Sequence, residues 1–136
     1  MATHLNAKLR YYASDMVLNV YSDASYLSAL NARSRAAGYY FLGSVPKNRQ
    51  PIKSNGAIHV LCTVLKLVAS SAAEAELGTL FINSKEAKIL ILTLEDLGHK
   101  QPPPPIRVDN STTVGIVNNT IKRQKSRSME MRYFCY

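Results

Sequence analysis

The hydrophobic pattern changes its period at Ser70, and this change constrains the fold more than any other feature of the sequence. Three segments rich in β-forming residues precede it: Met16–Tyr21, Arg33–Gly43 and Ala57–Val68. After Ser70, apolar residues recur at the helical period of roughly 3.6 residues as far as Leu97. Ile106–Val108 forms a fourth β-rich segment, and Ser111–Val117 a short second helical one. We therefore predict the order β-β-β-α-β-α and the α/β class with a mixed sheet.

The connections between the first three strands are short, which favours an antiparallel meander. We expect the fourth strand to be parallel, with helices flanking the sheet. Ser70 and Ser71 can cap the long helix, and Gly98 is typical of a residue that closes one. One face of this helix is predicted to carry Glu76, Leu80, Ala87, Leu90, Ile91, Leu94 and Leu97, with Asn83 as a polar interruption.

The chain has 136 residues, which suits one domain over residues 15–136. Residues 1–14 are polar and read as a leader or the remnant of a preceding domain. Lys and Arg number 17 against 9 Asp and Glu, a net charge of +8. This excess favours an anionic partner, either nucleic acid or an acidic membrane surface.

The most hydrophobic run, Ile58–Val68, is about half of the roughly 20 residues that span a bilayer. The N-terminus has no apolar stretch typical of a secretory signal. The two cysteines, Cys62 and Cys135, are too far apart to indicate a disulfide framework, and Cys62 is expected to be buried. We predict an intracellular protein, cytoplasmic or nuclear, that is neither secreted nor embedded in a membrane.

Three carboxylates, those of Asp23, Glu76 and Asp109, are candidate functional groups. Asp23 follows the first predicted strand and Asp109 follows the fourth, so adjacent parallel strands would place them side by side. The alternative is that each aspartate merely begins a turn. Glu76 belongs to the apolar face of the helix, where a carboxylate is costly unless something neutralises it. Glu74 points away from that face and is explained by the helix dipole.

Carboxylates gathered at one edge of a sheet repel one another unless a cation lies between them. Oxygen ligands select Mg²⁺ or Mn²⁺. Two such ions about 4 Å apart can activate a water and stabilise the leaving oxygen of a phosphodiester. We therefore predict Asp23, Glu76 and Asp109 as metal ligands and catalytic residues for two ions.

Five motifs occur in a family-specific order: Tyr21–Tyr26, Arg33–Tyr39, Ser70–Leu77, Val108–Asn110 and Met129–Tyr133. With them the sequence resembles the RNase H domain of copia-type LTR retrotransposon polyproteins, which also carry a reverse transcriptase. The resemblance implies an RNase H-like fold that cuts the RNA strand of RNA–DNA hybrids with two Mg²⁺ ions. It implies that residues 1–14 end the segment joining this domain to the reverse transcriptase. The expected partners are the hybrid and that reverse transcriptase domain, and the expected state is a monomer.

The resemblance also implies a fourth acidic ligand, on a C-terminal helix that follows a fifth strand. That strand and helix come after the region resembling Met129–Tyr133, and the sequence ends at Tyr136. We therefore expect the final strand, the final helix and the ligand to be missing; Glu130 lies in the earlier segment. The alternative function is a catalytically inactive, truncated relic that at most binds nucleic acid non-specifically.

Two groups of residues are predicted to contact nucleic acid. The basic cluster Lys122, Arg123, Lys125 and Arg127 can neutralise phosphates, or it can be a solvated run of charge. Selection of an RNA strand requires contact with 2′-hydroxyl groups. The small polar residues near the predicted site, chosen by position alone, are Ser22, Ser25, Asn110 and Ser111.

Overall fold

The computed structural model describes residues 8–45, 52–109, 115, 117 and 118. Within these residues the elements are, in chain order, β1 (Val17–Ala29), β2 (Arg33–Gly43), β3 (Ala57–Val64), α1 (Ala72–Asp96) and β4 (Ile106–Val108). The four strands form one sheet in the order β3-β2-β1-β4. β1 and β3 are antiparallel to β2, and β4 is parallel to β1. The predicted α/β class, the antiparallel meander and the parallel fourth strand are confirmed.

β1 is longer than the sequence predicts. Instead of ending at Tyr21, it continues through Asp23 to Ala29, because Ser22 to Ser25 remain paired with β2. The pairing becomes irregular only after Ser25. Asp23 therefore lies within a strand, and the alternative in which it begins a turn is wrong. β3 is shorter than predicted: it ends at Val64, before the chain turns toward α1.

α1 begins and ends as the sequence predicts. Ser71 is the N-cap, and its hydroxyl accepts a hydrogen bond of 3.1 Å from the backbone N–H of Glu74. At the other end, Gly98 has a φ of +89°, a left-handed conformation that favours glycine. His99 N–H donates to Leu94 O and Gly98 N–H to Glu95 O, both at 2.9 Å. These two bonds form a Schellman motif, which satisfies carbonyls of the last turn.

The core lies between α1 and the face of the sheet that β1 and β2 present to it. Its larger buried cluster consists of Leu18, Val20, Tyr40, Ala87 and Leu94. A second cluster joins the start of α1 to β2 and consists of Ala36, Leu65, Ala69 and Ala75. Asn83 is fully buried in this layer. Leu97 is wrongly predicted to face the core: it follows the last helical residue and is 70% exposed.

Cys62 is exposed, contrary to the prediction of a buried residue. It lies on β3, which is an edge strand of the described sheet, where Val60 is exposed as well. Of the predicted second helix, Gly115 and Val117 are described, and both are helical. No helix in the described ranges is long and apolar enough to cross a membrane. The expectation that the final strand and helix are missing concerns a region outside the described residues.

Candidate metal centre

The parallel pairing of β1 and β4 places two aspartates in the same register. The last paired residues are Ser22 on β1 and Val108 on β4. Asp23 directly follows Ser22 and Asp109 directly follows Val108, and both aspartates are exposed. This is the side-by-side arrangement predicted for two neighbouring parallel strands. Asp109 follows the end of β4, whereas Asp23 belongs to the longer β1.

Glu76 reaches the same place from the first turns of α1. Its exposed fraction is 6%, and its Oε1 accepts a hydrogen bond of 3.3 Å from the backbone N–H of Ala24. Ala24 directly follows Asp23, so this bond ties the start of α1 to the strand that carries the aspartate. The prediction that Glu76 faces the sheet is therefore confirmed.

Asp23, Glu76 and Asp109 form a carboxylate triad. One side-chain oxygen from each residue lies within 4.8 Å of the other two. Three acidic groups at this separation repel one another, and the repulsion is strongest for the buried member because little solvent screens it. The arrangement is suited to a divalent cation, and hard oxygen donors of this kind match Mg²⁺ or Mn²⁺.

The electrostatics of Glu76 are set by its burial and by the two neighbouring aspartates. Burial raises the pKa of Glu76 to about 7, and the negative charges of Asp109 and Asp23 add to the effect. The hydrogen bond from Ala24 N–H acts in the opposite direction. Oε2 of Glu76 is buried and has no hydrogen-bond partner among the described residues. A cation between the three carboxylates would satisfy this oxygen and remove the repulsion.

Glu74 provides a contrast two positions earlier. It is 3% exposed, although the sequence predicts that it points away from the apolar face of the helix. The reason is local: its Oε2 accepts hydrogen bonds from Ser70 N–H at 2.8 Å and from Ser70 Oγ at 2.6 Å. Its buried carboxylate thus serves the start of α1, as the helix-dipole interpretation suggested.

The residues predicted to contact nucleic acid have different positions. Ser22 is 3% exposed and its Oγ accepts a hydrogen bond of 2.8 Å from Asn83 Nδ2. This burial argues against a direct contact with a ligand, because the hydroxyl faces α1. Ser25 is exposed on β1, two residues beyond Asp23. The remaining predicted contacts lie outside the described residues: Asn110, Ser111, Lys122, Arg123, Lys125 and Arg127.

In the sequence, Asn83 stands out only as a polar interruption of an apolar helix face. In the structure its amide makes hydrogen bonds to β1 and β2 beside Asp23. The signal available in the sequence was a polar amide at a core position of α1. Its partners could not be identified without the register of the strands.

The fold and the site together define a mixed α/β protein with an acidic candidate metal centre at the β1–β4 edge. The chain is 26% identical over 125 residues, 92% of its length, to the retrovirus-related Pol polyprotein from transposon TNT 1-94 of Nicotiana tabacum. It spans about 9% of the length of that polyprotein. This similarity supports an origin in a retrotransposon Pol polyprotein. No family model matches the chain, and no solved structure matches it.

Proposed function

We propose that this chain is an RNase H-like domain of copia-type retrotransposon origin that hydrolyses the RNA strand of RNA–DNA hybrids. The observation that carries the proposal is the carboxylate triad, whose oxygens converge within 4.8 Å from β1, α1 and β4. The sheet order and the parallel β4 are compatible with that fold. The similarity to a transposon Pol polyprotein supports the same origin.

Two Mg²⁺ or Mn²⁺ ions, when bound, would supply Lewis acidity and an activated water for hydrolysis of a phosphodiester. Asp23 lies between the other two elements of the site, since β4 flanks it on one side and Glu76 bonds the next residue, Ala24. Asp23 would be the central protein ligand of the site. Glu76 and Asp109 complete the set of protein oxygens. The exposure of Asp23 and Asp109 leaves the site open to a substrate backbone.

The proposed substrate is a hybrid duplex, and the net charge of +8 favours such a polyanion. Ser25, Asn110 and Ser111 are the proposed contacts to 2′-hydroxyl groups. Lys122, Arg123, Lys125 and Arg127 are the proposed contacts to phosphates. We further propose that the domain acts as a monomer, inside the cell, alongside the reverse transcriptase domain of its parent polyprotein.

Cleavage of an end-labelled RNA–DNA hybrid in Mg²⁺ tests the proposal, with Asp23→Asn as the critical variant. We expect the unmodified protein to cut the RNA strand and Asp23→Asn to lose this activity, because the substitution removes one ligand charge with little change in shape. Asp96→Asn is the matched control: Asp96 is an exposed aspartate in the last turn of α1. Equal cleavage by the unmodified protein and Asp23→Asn would contradict the proposal.

The net charge also supports a second candidate, an inactive relic that binds nucleic acid through charge alone. It predicts salt-sensitive binding of the hybrid without cleavage. It also predicts that Asp109→Asn leaves the affinity for the hybrid unchanged in the presence of Mg²⁺. The RNase H proposal predicts that Asp109→Asn alters Mg²⁺-dependent binding, so the same titration separates the two candidates.

A further inference from the structure

We infer that Asn83 is a positioning residue for the carboxylate triad, which it supports by fixing β1 and β2 against α1 next to Asp23. The inference rests on the proposed function, because it concerns the same metal centre. Asn83 is completely buried and lies on α1. Its Nδ2 donates hydrogen bonds to Ser22 Oγ at 2.8 Å and to the backbone O of Ala37 at 2.9 Å.

Both acceptors are immediate neighbours of Asp23. Ser22 precedes it on β1, and Ala37 is its paired residue on β2. On the other side of Asp23, the backbone N–H of Ala24 donates to Glu76 Oε1. Side chains of α1 therefore hold the chain before, after and opposite the aspartate.

Asn83 and Glu76 act on the sheet from the same face of the helix. They are separated by two helical turns, about 10 Å along the axis. A rigid helix attached at two points cannot slide or rotate freely over the sheet. The amide of Asn83 thus sets where the carboxylate of Glu76 meets Asp23, although Asn83 itself is not a member of the triad.

The orientation of the Asn83 amide is determined by its partners. The backbone O of Ala37 can only accept, so the Nδ2 group must face it. The hydroxyl of Tyr40 donates to Asn83 Oδ1 at 2.8 Å, which satisfies the other end of the amide. A Cβ atom on Gly38 would clash with Oδ1, so glycine at this position makes room for the amide. Both ends of the Asn83 amide therefore have hydrogen-bond partners, and the absence of a side chain on Gly38 leaves space for it.

A role confined to core packing would be served better by an apolar side chain, because a buried amide pays a desolvation penalty. The hydrogen bonds of Asn83 instead join α1 to the residues around one ligand. Residues that orient metal ligands without touching the metal commonly change metal affinity about 10- to 100-fold when they are replaced. Metal affinity is therefore the property that separates positioning from packing.

The test is a titration of Mn²⁺, followed by the electron paramagnetic resonance of the free ion, on the unmodified protein, Asn83→Leu, Tyr40→Phe and Leu94→Ala. Leu94 belongs to the core at the far end of α1 and is the control for lost stability. We expect Asn83→Leu to bind Mn²⁺ about tenfold more weakly or worse. Tyr40→Phe, which leaves Oδ1 without its donor, should weaken binding to a smaller extent. Leu94→Ala should lower the thermal unfolding midpoint and leave the affinity of the folded protein unchanged.

An unchanged Mn²⁺ affinity in Asn83→Leu would overturn the positioning role. If that variant does not fold, Tyr40→Phe decides the question by the same criterion. The proposed function fails in a different way: the unmodified protein would then bind no Mn²⁺, or would bind it without cutting the hybrid. Mn²⁺ binding and cleavage in the unmodified protein, combined with unchanged affinity in the variants, would contradict the positioning role alone.

Discussion

Glu76 is the member of the carboxylate triad that is withdrawn from solvent, and its two oxygens have unequal surroundings. Oε1 accepts a hydrogen bond from Ala24 N–H, whereas the buried Oε2 has no partner among the described residues. Its pKa of about 7 follows mainly from burial, and the neighbouring aspartates raise it further. The folded protein therefore holds a proton on Glu76 more tightly than the unfolded chain does.

This difference predicts a pH dependence of stability that Glu76→Gln removes. In metal-free protein the stabilising contribution of the protonated carboxyl is fully present below its ordinary pKa of 4.5, and it is lost as the pH rises through about 7. We expect Glu76→Gln to be more stable than the unmodified protein at about pH 8, with a smaller advantage at about pH 5. Urea unfolding with a chelator present measures both differences.

Glu95→Gln is the control for this experiment, since Glu95 is exposed near the end of α1. It should show no comparable pH-dependent gain in the free energy of unfolding. If Glu76→Gln differed from the unmodified protein by the same amount at both pH values, the raised pKa of Glu76 would be contradicted.

Thr79 leads to a second prediction at the level of a single side chain. Its Oγ1 is buried without a hydrogen-bond partner among the described residues, and the residue is 0% exposed. Thr79→Val replaces the hydroxyl by a methyl group of similar shape. We expect a gain of about 1 kcal/mol in the free energy of unfolding, because the desolvation cost of the hydroxyl is removed. A loss of stability, seen as a lower urea midpoint, would show that the hydroxyl is satisfied in the folded protein.

The candidate ligands could be predicted from the sequence, but their supporting residues could not. Asp23 and Asp109 each follow a short β-rich segment that the sequence marks, and Glu76 occupies the buried face of a regular helix, so local pattern was sufficient to select them. Asn83 and Gly38 depend on which residues of β1 and β2 oppose each other, and the sequence does not specify that register. The burial of Ser22 could not be predicted for the same reason, because it depends on which residues of β1 face α1.

At the level of elements, α1 carries Glu76 near its N-terminus, and Ser71 caps that end of the helix. Ser71→Ala removes the side-chain acceptor for Glu74 N–H, so we expect a loss of about 1 kcal/mol in stability. Thermal or urea unfolding followed by circular dichroism measures the change.

Ser84→Ala is the matched substitution in the interior of the same helix. Ser84 is exposed, and its hydroxyl bonds back to Leu80 O, which does not satisfy a free terminal group. Alanine is the better helix former there, so this variant should gain up to about 0.5 kcal/mol. Equal effects of the two substitutions would contradict the role of Ser71 as the cap.

The bounds of α1 were predicted well because capping residues and a terminal glycine mark them in the sequence. The bounds of the strands were predicted less well. Residues 22–29 contain few strong β-formers, yet they extend β1 to Ala29, because β2 supplies pairing partners for Ser22 to Ser25 and again for Ala29. Pairing across strands thus overrides local preference, and it also places Asp23 within β1 instead of after its predicted end.

At the level of the whole molecule, the net charge of +8 predicts how hybrid binding responds to salt. Each phosphate neutralised contributes about −0.9 to the slope of log affinity against log salt concentration. Lys122→Ala combined with Arg123→Ala should make this slope less steep by nearly 2. The hybrid affinity, measured by fluorescence anisotropy at several salt concentrations, provides the slope.

The double variant Lys85→Ala and Lys88→Ala removes the same charge from the exposed side of α1. Its slope should equal that of the unmodified protein. If both double variants changed the slope equally, the bound hybrid would be responding to total charge and the proposed basic contacts would be contradicted.

The antiparallel meander of β1, β2 and β3 follows from element order and short connections, which is why the sequence predicted it correctly. The convergence of the three carboxylates is a property of the whole molecule, since it requires β4 to lie beside β1 and α1 to pack across β1 and β2. The most direct measurement is an anomalous difference map from crystals soaked in Mn²⁺. We predict Mn²⁺ density at the carboxylates of Asp23, Glu76 and Asp109. A crystal with an accessible, Mn²⁺-free triad at saturating metal would contradict the metal centre and the nuclease built on it.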